Sequence, residues 1–242
     1  MKIFTCSSSV ETGMEAALQG ASIIRDAIRM KGTANIILAT GASQFEMLGH
    51  LVHSGIDWAK VNAFHLDEYI GITQSHPASF RKYLKERVAD KIAFKDFHFI
   101  NGEGDPQEEC HRLGQIIREY PVDVAFIGIG ENCHLAFNDP PADFENEDPY
   151  IVVELDQKCR EQQFGEGWFP NVEDVPLSAI SMSVIQIMKS ETIICTVPDA
   201  RKAEAVRRTI KEEVSPACPA SVLREHDQVY LYLDQESSSL IR

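Results

Sequence analysis

The chain has 242 residues, 23 of them Lys or Arg and 37 Asp or Glu, for a formal net charge of −14. With 44% hydrophobic and 25% charged residues it has the balance of a globular protein with a sizeable core, which excludes intrinsic disorder. An isoelectric point near 5.0 argues against binding nucleic acid or an anionic membrane surface, since both need an excess of Lys and Arg.

Met1 to Cys6 hold one Lys and a short apolar run with no long apolar region behind it, so no secretory signal is expected. No apolar stretch approaches the roughly 18 residues of a membrane-spanning helix. The expected location is the cytoplasm, and no membrane partner is expected. Strands are predicted at Lys2–Cys6, Asn35–Thr40, Val61–Leu66, Phe97–Ile100, Asp123–Gly128, Ile151–Glu154, Thr192–Val197 and Gln228–Leu233. Several are near-continuous apolar runs, which suits strands buried on both faces. Helical periodicity fills the intervals. Val10, Met14, Ala17, Ala21, Ile24 and Ile28 share one face, and Phe80, Leu84 and Val88 share another. Asp105-Pro106-Gln107-Glu108 reads as a helix start, with a cap, Pro at the first position and an acid at the third. Strand–helix alternation predicts a three-layer α/β fold: a mostly parallel, Rossmann-like sheet with helices on both faces. The stretch Asn138 to Val175, rich in Pro, Asp, Glu and Gly, reads as largely irregular. The expectation is therefore one domain over residues 1–242 with a lid at about 140–175.

The six cysteines form no CxxC pair and are expected as free thiols. His50 and His53 have helical i, i+3 spacing without a nearby third ligand, so no metal site is expected.

Parallel sheets bind ligands at the carboxyl ends of their strands, and four segments there carry chemistry. Thr40-Gly-Ala-Ser43 joins a strand to a helix. Its glycine allows close backbone approach and its N–H groups suit a phosphate, although the segment is equally a βα turn. Ser43 and Glu46 have the spacing of a capping box. Asp67 and Glu68 follow the third strand; neighbours in sequence point apart, so they are not a shared-proton pair. Gly128 to Asp139 closes the fifth predicted strand with glycines and then supplies Asn132, His134, Asn138 and Asp139; a lone His is more often structural, but among these polar groups it can also move protons near neutral pH. Val197 to Lys202 places Arg201 and Lys202 in a first helical turn, a position easier to understand if an anion binds beside them, although the segment is equally a solvated basic face continuing into Arg207, Arg208 and Lys211.

In this order the segments resemble the glucosamine-6-phosphate deaminase/isomerase family, related to the 6-phosphogluconolactonases. The resemblance runs nearly end to end. It is strongest at Ala39–Ser43, Leu66–Tyr69 followed by His76–Ser79, Gly128–Asn138, Lys202–Ala205 and Pro219–Ser221. The run His134-Leu-Ala-Phe-Asn-Asp-Pro140 is similar to the deaminase branch. The resemblance implies that Asp67 moves a proton between C1 and C2 of an opened sugar and that His134 assists ring opening. Asp139 stands where the family usually has the Glu that orients this histidine, and Asn132 where many members have Asp. The Thr40–Ser43 loop, with Gly41 and Ala42, and Lys202 match the phosphate site. No cofactor is implied, and the partner is a small sugar phosphate. The family includes oligomers, which leaves a homo-oligomer open. Two departures stand out. Phe144–Asp148 is acidic where the family carries an Arg-rich segment. Gly167 falls where many members place a phosphate-contacting Arg, with Arg160 as the candidate substitute.

The resulting expectation is isomerisation and deamination of an amino-sugar 6-phosphate. One rival is hydrolysis of a phosphorylated sugar lactone. Another is sugar-phosphate binding without chemistry; such sensors usually carry a basic DNA-binding segment, for which a strand starting at Lys2 is expected to leave no room.

Overall fold

A computed structural model describes residues 1–241. The strands are β1 (Lys2–Thr5), β2 (Ala34–Leu38), β3 (Val61–His65), β4 (Asp67–Tyr69), β5 (Asp96–His98), β6 (Val124–Ile127), β7 (Tyr150–Glu154), β8 (Ser178–Met182), β9 (Thr192–Val197) and β10 (Val229–Leu233). The helices are α1 (Ser9–Lys31), α2 (Phe45–Leu51), α3 (Phe80–Leu84), α4 (Pro106–Arg118), α5 (Gln157–Gly165), α6 (Val184–Met188) and α7 (Ala203–Lys211). Seven strands pair in parallel in the order β1-β10-β9-β6-β2-β3-β5. The other three form a small antiparallel sheet, β4-β8-β7. All eight predicted strands are present; β4 and β8 were not foreseen.

The two-residue period of the strands divides the core. Ile36, Leu38, Val124, Phe126 and Ile194 face one side and pack against α1 and α2. Ile37, Ala125, Ile127, Ile193 and Cys195 face the other and pack against α4, α6 and α7. The three-layer architecture follows directly from these two faces. A third cluster centred on Tyr69, with Phe80, Phe137 and Phe169 around it, lies beneath the small sheet.

The α4 start is as predicted: Asp105 Oδ1 accepts from Gln107 N at 2.8 Å and Glu108 N at 3.0 Å. Phe80, Leu84 and Val88 are all buried, but Phe80 packs in the Tyr69 cluster while Leu84 and Val88 join the α1–α2 side of the core, and α3 widens into a π-helical turn at Lys85–Ala89. The predicted α1 face holds only from Ala17 onward. Val10 and Met14 are exposed, and the buried stripe includes Gly13, Ala16, Ala17, Gly20 and Ala21. Small residues take this face because α1 comes very close to its neighbours. The stretch 138–175 is also more ordered than expected. It carries β7, held by pairing with β8, and α5, capped by Asp156, whose Oδ1 accepts from Cys159 N at 2.6 Å. Ser43 and Glu46 form no capping box: Gln44 holds the N-cap position of α2 and no side chain caps it.

β2 lies between β6 and β3, so the connections after β2 and β6 leave the sheet side by side at its topological switch point. The α1–α2 contact sets the position of the helix that follows the first of them. A Cβ on Gly13 would stand 2.4 Å from Glu46 Cβ and 2.6 Å from Met47 N. On an exposed helix Gly→Ala stabilises by about 1 kcal/mol. Here the sign reverses, and Gly13→Ala is expected to cost about 2 kcal/mol through overpacking. Thermal unfolding checks this: an unchanged or raised Tm would contradict the packing described.

Candidate active site

A cavity of about 330 Å³ opens at the carboxyl ends of β2, β3, β6 and β9. Of the residues predicted for the site, Thr40, Gly41, Ala42, Ser43, Asp67, His134 and Lys202 line it. Asn132 and Asp139 stand behind His134.

Thr40–Ser43 leaves β2 through Gly41, whose φ of 90° and ψ of 170° are closed to residues with a Cβ. Tyr83 Oη donates to Gly41 O at 3.1 Å and fixes that peptide. Gln44, fully buried, ties the loop to two neighbouring strands. Its Nε2 donates to Ser43 Oγ at 3.0 Å and Ile127 O at 3.2 Å, and its Oε1 accepts from Thr196 Oγ1 at 3.3 Å.

Asp67 begins β4, with only Leu66 between it and the end of β3. Its carboxylate is buried, and no hydrogen bond from the described residues reaches Oδ1. Burial pushes this carboxyl up to about 8 from an ordinary 3.8, and Glu68 and Glu166 add to the rise. As expected, Glu68 points away from its neighbour. It accepts from Ser79 Oγ at 2.9 Å, Phe80 N at 3.1 Å and Arg81 N at 2.7 Å, at the start of α3.

His134 sits on Gly130. A Cβ there would be 2.2 Å from its Nε2, so only glycine admits the ring. Its Nδ1 is 3.1 Å from Asp139 Oδ1, which leaves Nε2 for the cavity. The shorter Asp side chain therefore reaches the histidine. Asn132 braces the pair, donating Nδ2 to Asp139 Oδ1 at 2.9 Å and accepting His134 N on Oδ1 at 3.1 Å. Asp156 N donates to Asp139 Oδ2 at 3.0 Å. Burial pushes the Asp139 carboxyl up, but His134, Asn132 and this N–H together outweigh it and hold it below the usual range. Cys159 brings its Sγ within 4.8 Å of ligand atoms on His134 and Asp139, the one group of three among the described residues that could hold a metal ion. Burial pushes that thiol far up and keeps it protonated.

Two cations follow β9. Lys202 is buried, and among the described residues no carboxylate lies within ion-pair distance of it. Burial pushes its ammonium down while Glu131 and Glu166 hold it up. Arg201 also lines the cavity, bound to Asp199 Oδ2 at 2.9 Å and 3.6 Å from Glu131. Arg160 does not substitute for the missing arginine. Its guanidinium donates to Val172 O and Val175 O, within its own segment. Glu166, Gln162 and Asp234 line the cavity without any sequence signal that marked them.

Fold and cavity define an α/β protein with its candidate site at the strand ends of a doubly wound sheet, built around a glycine loop and a histidine–carboxylate pair. A family model described as glucosamine-6-phosphate isomerases/6-phosphogluconolactonase matches residues 7–231, and the chain belongs to that family. It is 35% identical to a glucosamine-6-phosphate deaminase of Bacillus cytotoxicus, over 96% of this chain and 87% of that protein. It is 34% identical to one of Bacillus cereus over the same shares. Among solved structures, a monomeric glucosamine-6-phosphate deaminase superposes with a TM-score of 0.90 at 28% identity, covering 99% of this chain and all of that one. A 6-phosphogluconolactonase from Trypanosoma brucei superposes at 0.80 with 16% identity, covering 100% and 98%, a likeness of fold.

The folded chain holds the Asp67 proton more tightly than the unfolded chain does. The stabilisation this gives is complete below about pH 4 and is lost as pH rises toward 8. Asp67→Asn cannot ionise, so it is expected to raise the Tm above that of the wild type by about 5 °C or more at pH 9, with the gap closing toward pH 4. Equal unfolding temperatures at pH 9 would contradict the burial of this charge.

Proposed function

We propose that the chain isomerises and deaminates a 2-amino-2-deoxyhexose 6-phosphate, giving a ketose 6-phosphate and ammonia. The observation that carries this is one cavity holding a buried carboxyl with an unbonded oxygen, a His–Asp pair and an anion loop beside a buried lysine. The names of the relatives support the substrate class. The protein acts as one domain in the cytoplasm, with residues 140–175 as a lid, and needs no metal or redox cofactor for this route.

The phosphate is held by the backbone of Thr40–Ser43 and by Lys202, dipoles on one side and a point charge on the other. His134, oriented by Asp139 and Asn132, takes the proton of the C1 hydroxyl and returns it to the ring oxygen, which opens the ring. Asp67 in its ionised form then takes the C2 proton while the amino group passes one of its own to the C1 oxygen, leaving an enol-type amine whose C1 receives the proton from Asp67 as the C2–N bond becomes double. The product is a ketose imine. Water adds at C2 and the C–N bond breaks, so one water is consumed and one ammonia released; in that sense the net reaction is a hydrolysis. Apolar surroundings raise Asp67 into the range where it can both accept and return a proton near neutral pH.

Ammonia release from glucosamine 6-phosphate and its galacto epimer tests the reading. Turnover of at least one is expected, with kcat falling by about 10²–10⁴-fold in Asp67→Asn. Lys202→Met is expected to raise KM by about tenfold or more. No ammonia from either sugar would overturn the assignment, and hydrolysis of a phosphorylated lactone would replace it.

A further inference from the structure

The anion loop and its two cations are crowded by carboxylates. Asp199 and Glu131 hold Arg201 from the cavity rim. A third carboxylate, Glu166, comes from the 140–175 segment at the end of α5. Its Oε2 lies 3.9 Å from the point a Cβ on Gly41 would occupy, so it stands against the loop itself. Lys202 and Arg201 both act on it, as does His134. Burial pushes its carboxyl up, and Lys202, the Gln162 side chain and Arg201 pull it back. Lys202 in turn has no ion-pair partner among the described residues, and the more distant charges of Glu131, Glu166 and Asp199 support it.

We infer that Glu166 is a built-in counter-anion: it occupies the phosphate site of the unliganded enzyme and must be displaced for the substrate's phosphate to bind. The inference rests on the proposed substrate class. A phosphate dianion and a carboxylate cannot share the Gly41–Lys202 space, because like charges a few ångströms apart in a partly dry site repel strongly. The chain is built for the displacement. Gly165 and Gly167 flank Glu166, neither has any atom within 4 Å of an added Cβ, and Gly167 holds a φ of +85°. The residue can therefore swing out about its own backbone while α5 stays packed through Cys159 and Gln163. Glu166 is in this way a specificity-determining residue. It disfavours small free anions and reserves the site for a ligand whose sugar contributes further contacts.

The test is calorimetric titration of inorganic phosphate into the wild type, Glu166→Gln, Glu166→Ala and Lys202→Met. Both Glu166 variants are expected to bind phosphate about tenfold more tightly than the wild type, and Lys202→Met to bind it more weakly than the wild type. KM for the sugar phosphate is expected to fall in step in the Glu166 variants. Phosphate affinity unchanged or weakened in both Glu166 variants overturns the inference, whatever the enzyme turns over. Tighter phosphate binding without ammonia release upholds the counter-anion and overturns the amino-sugar assignment instead. Absence of phosphate binding in all four proteins overturns both.

Discussion

The backbone of Leu66 bonds to both sheets at once. Its N–H donates to Leu38 O in the parallel sheet at 3.2 Å, and its carbonyl accepts from Met182 N in the antiparallel one at 2.9 Å. The chain changes sheets across this single residue, so Asp67 emerges at the seam, fixed from both sides and opposite Ser181. A flexible carboxylate would rotate to water; this one is held in an apolar wall with an oxygen unbonded. The proposed chemistry depends on that, because a carboxyl near its ordinary pKa would not readily return a proton once it had taken one. The Tyr69 aromatic cluster, two residues on, keeps the seam dry.

Electrostatics at the cavity work against the sign of the whole molecule. A chain of net charge −14 that binds a sugar phosphate, as proposed, must create positive potential locally. It does so with backbone N–H groups, which add no net charge, and with two side chains at one short turn after β9. Each is already supported by acids: Arg201 by Asp199 and Glu131, Lys202 by Glu131 and Glu166. The cations are thus stable without ligand, and a ligand must compete with groups of the protein itself.

Most of the sheet was legible because its strands are buried on both faces, and continuous apolar runs such as Ile193–Val197 have few other uses. The predicted pocket residues followed, since strand ends in a parallel sheet converge. What escaped lacks periodicity. Asp67-Glu-Tyr69 reads as a polar strand end, and it becomes a strand only because Ser178–Met182, itself half polar, pairs with it. β7 was foreseen, but the stretch around it was read as largely irregular. Glu166 lies between two glycines in a polar stretch, and nothing local distinguishes it from a solvated turn. The substitute role for Arg160 failed for a comparable reason: α5 turns its guanidinium onto the carbonyls of Val172 and Val175. Gln44, which anchors the Thr40–Ser43 loop, sits beside residues that attract more notice, and only the depth of its burial reveals it.

Asp156 does two jobs with two parts of one residue. Its side chain caps α5 through Cys159 N, and its backbone N–H bonds Asp139, the partner of His134. The start of α5 is therefore seated on the histidine pair, while Glu166 stands just past the last residue of the helix, 10 residues along. The two glycines around Glu166 uncouple it from the helix, so the cap keeps its hold on the histidine pair when the glutamate moves.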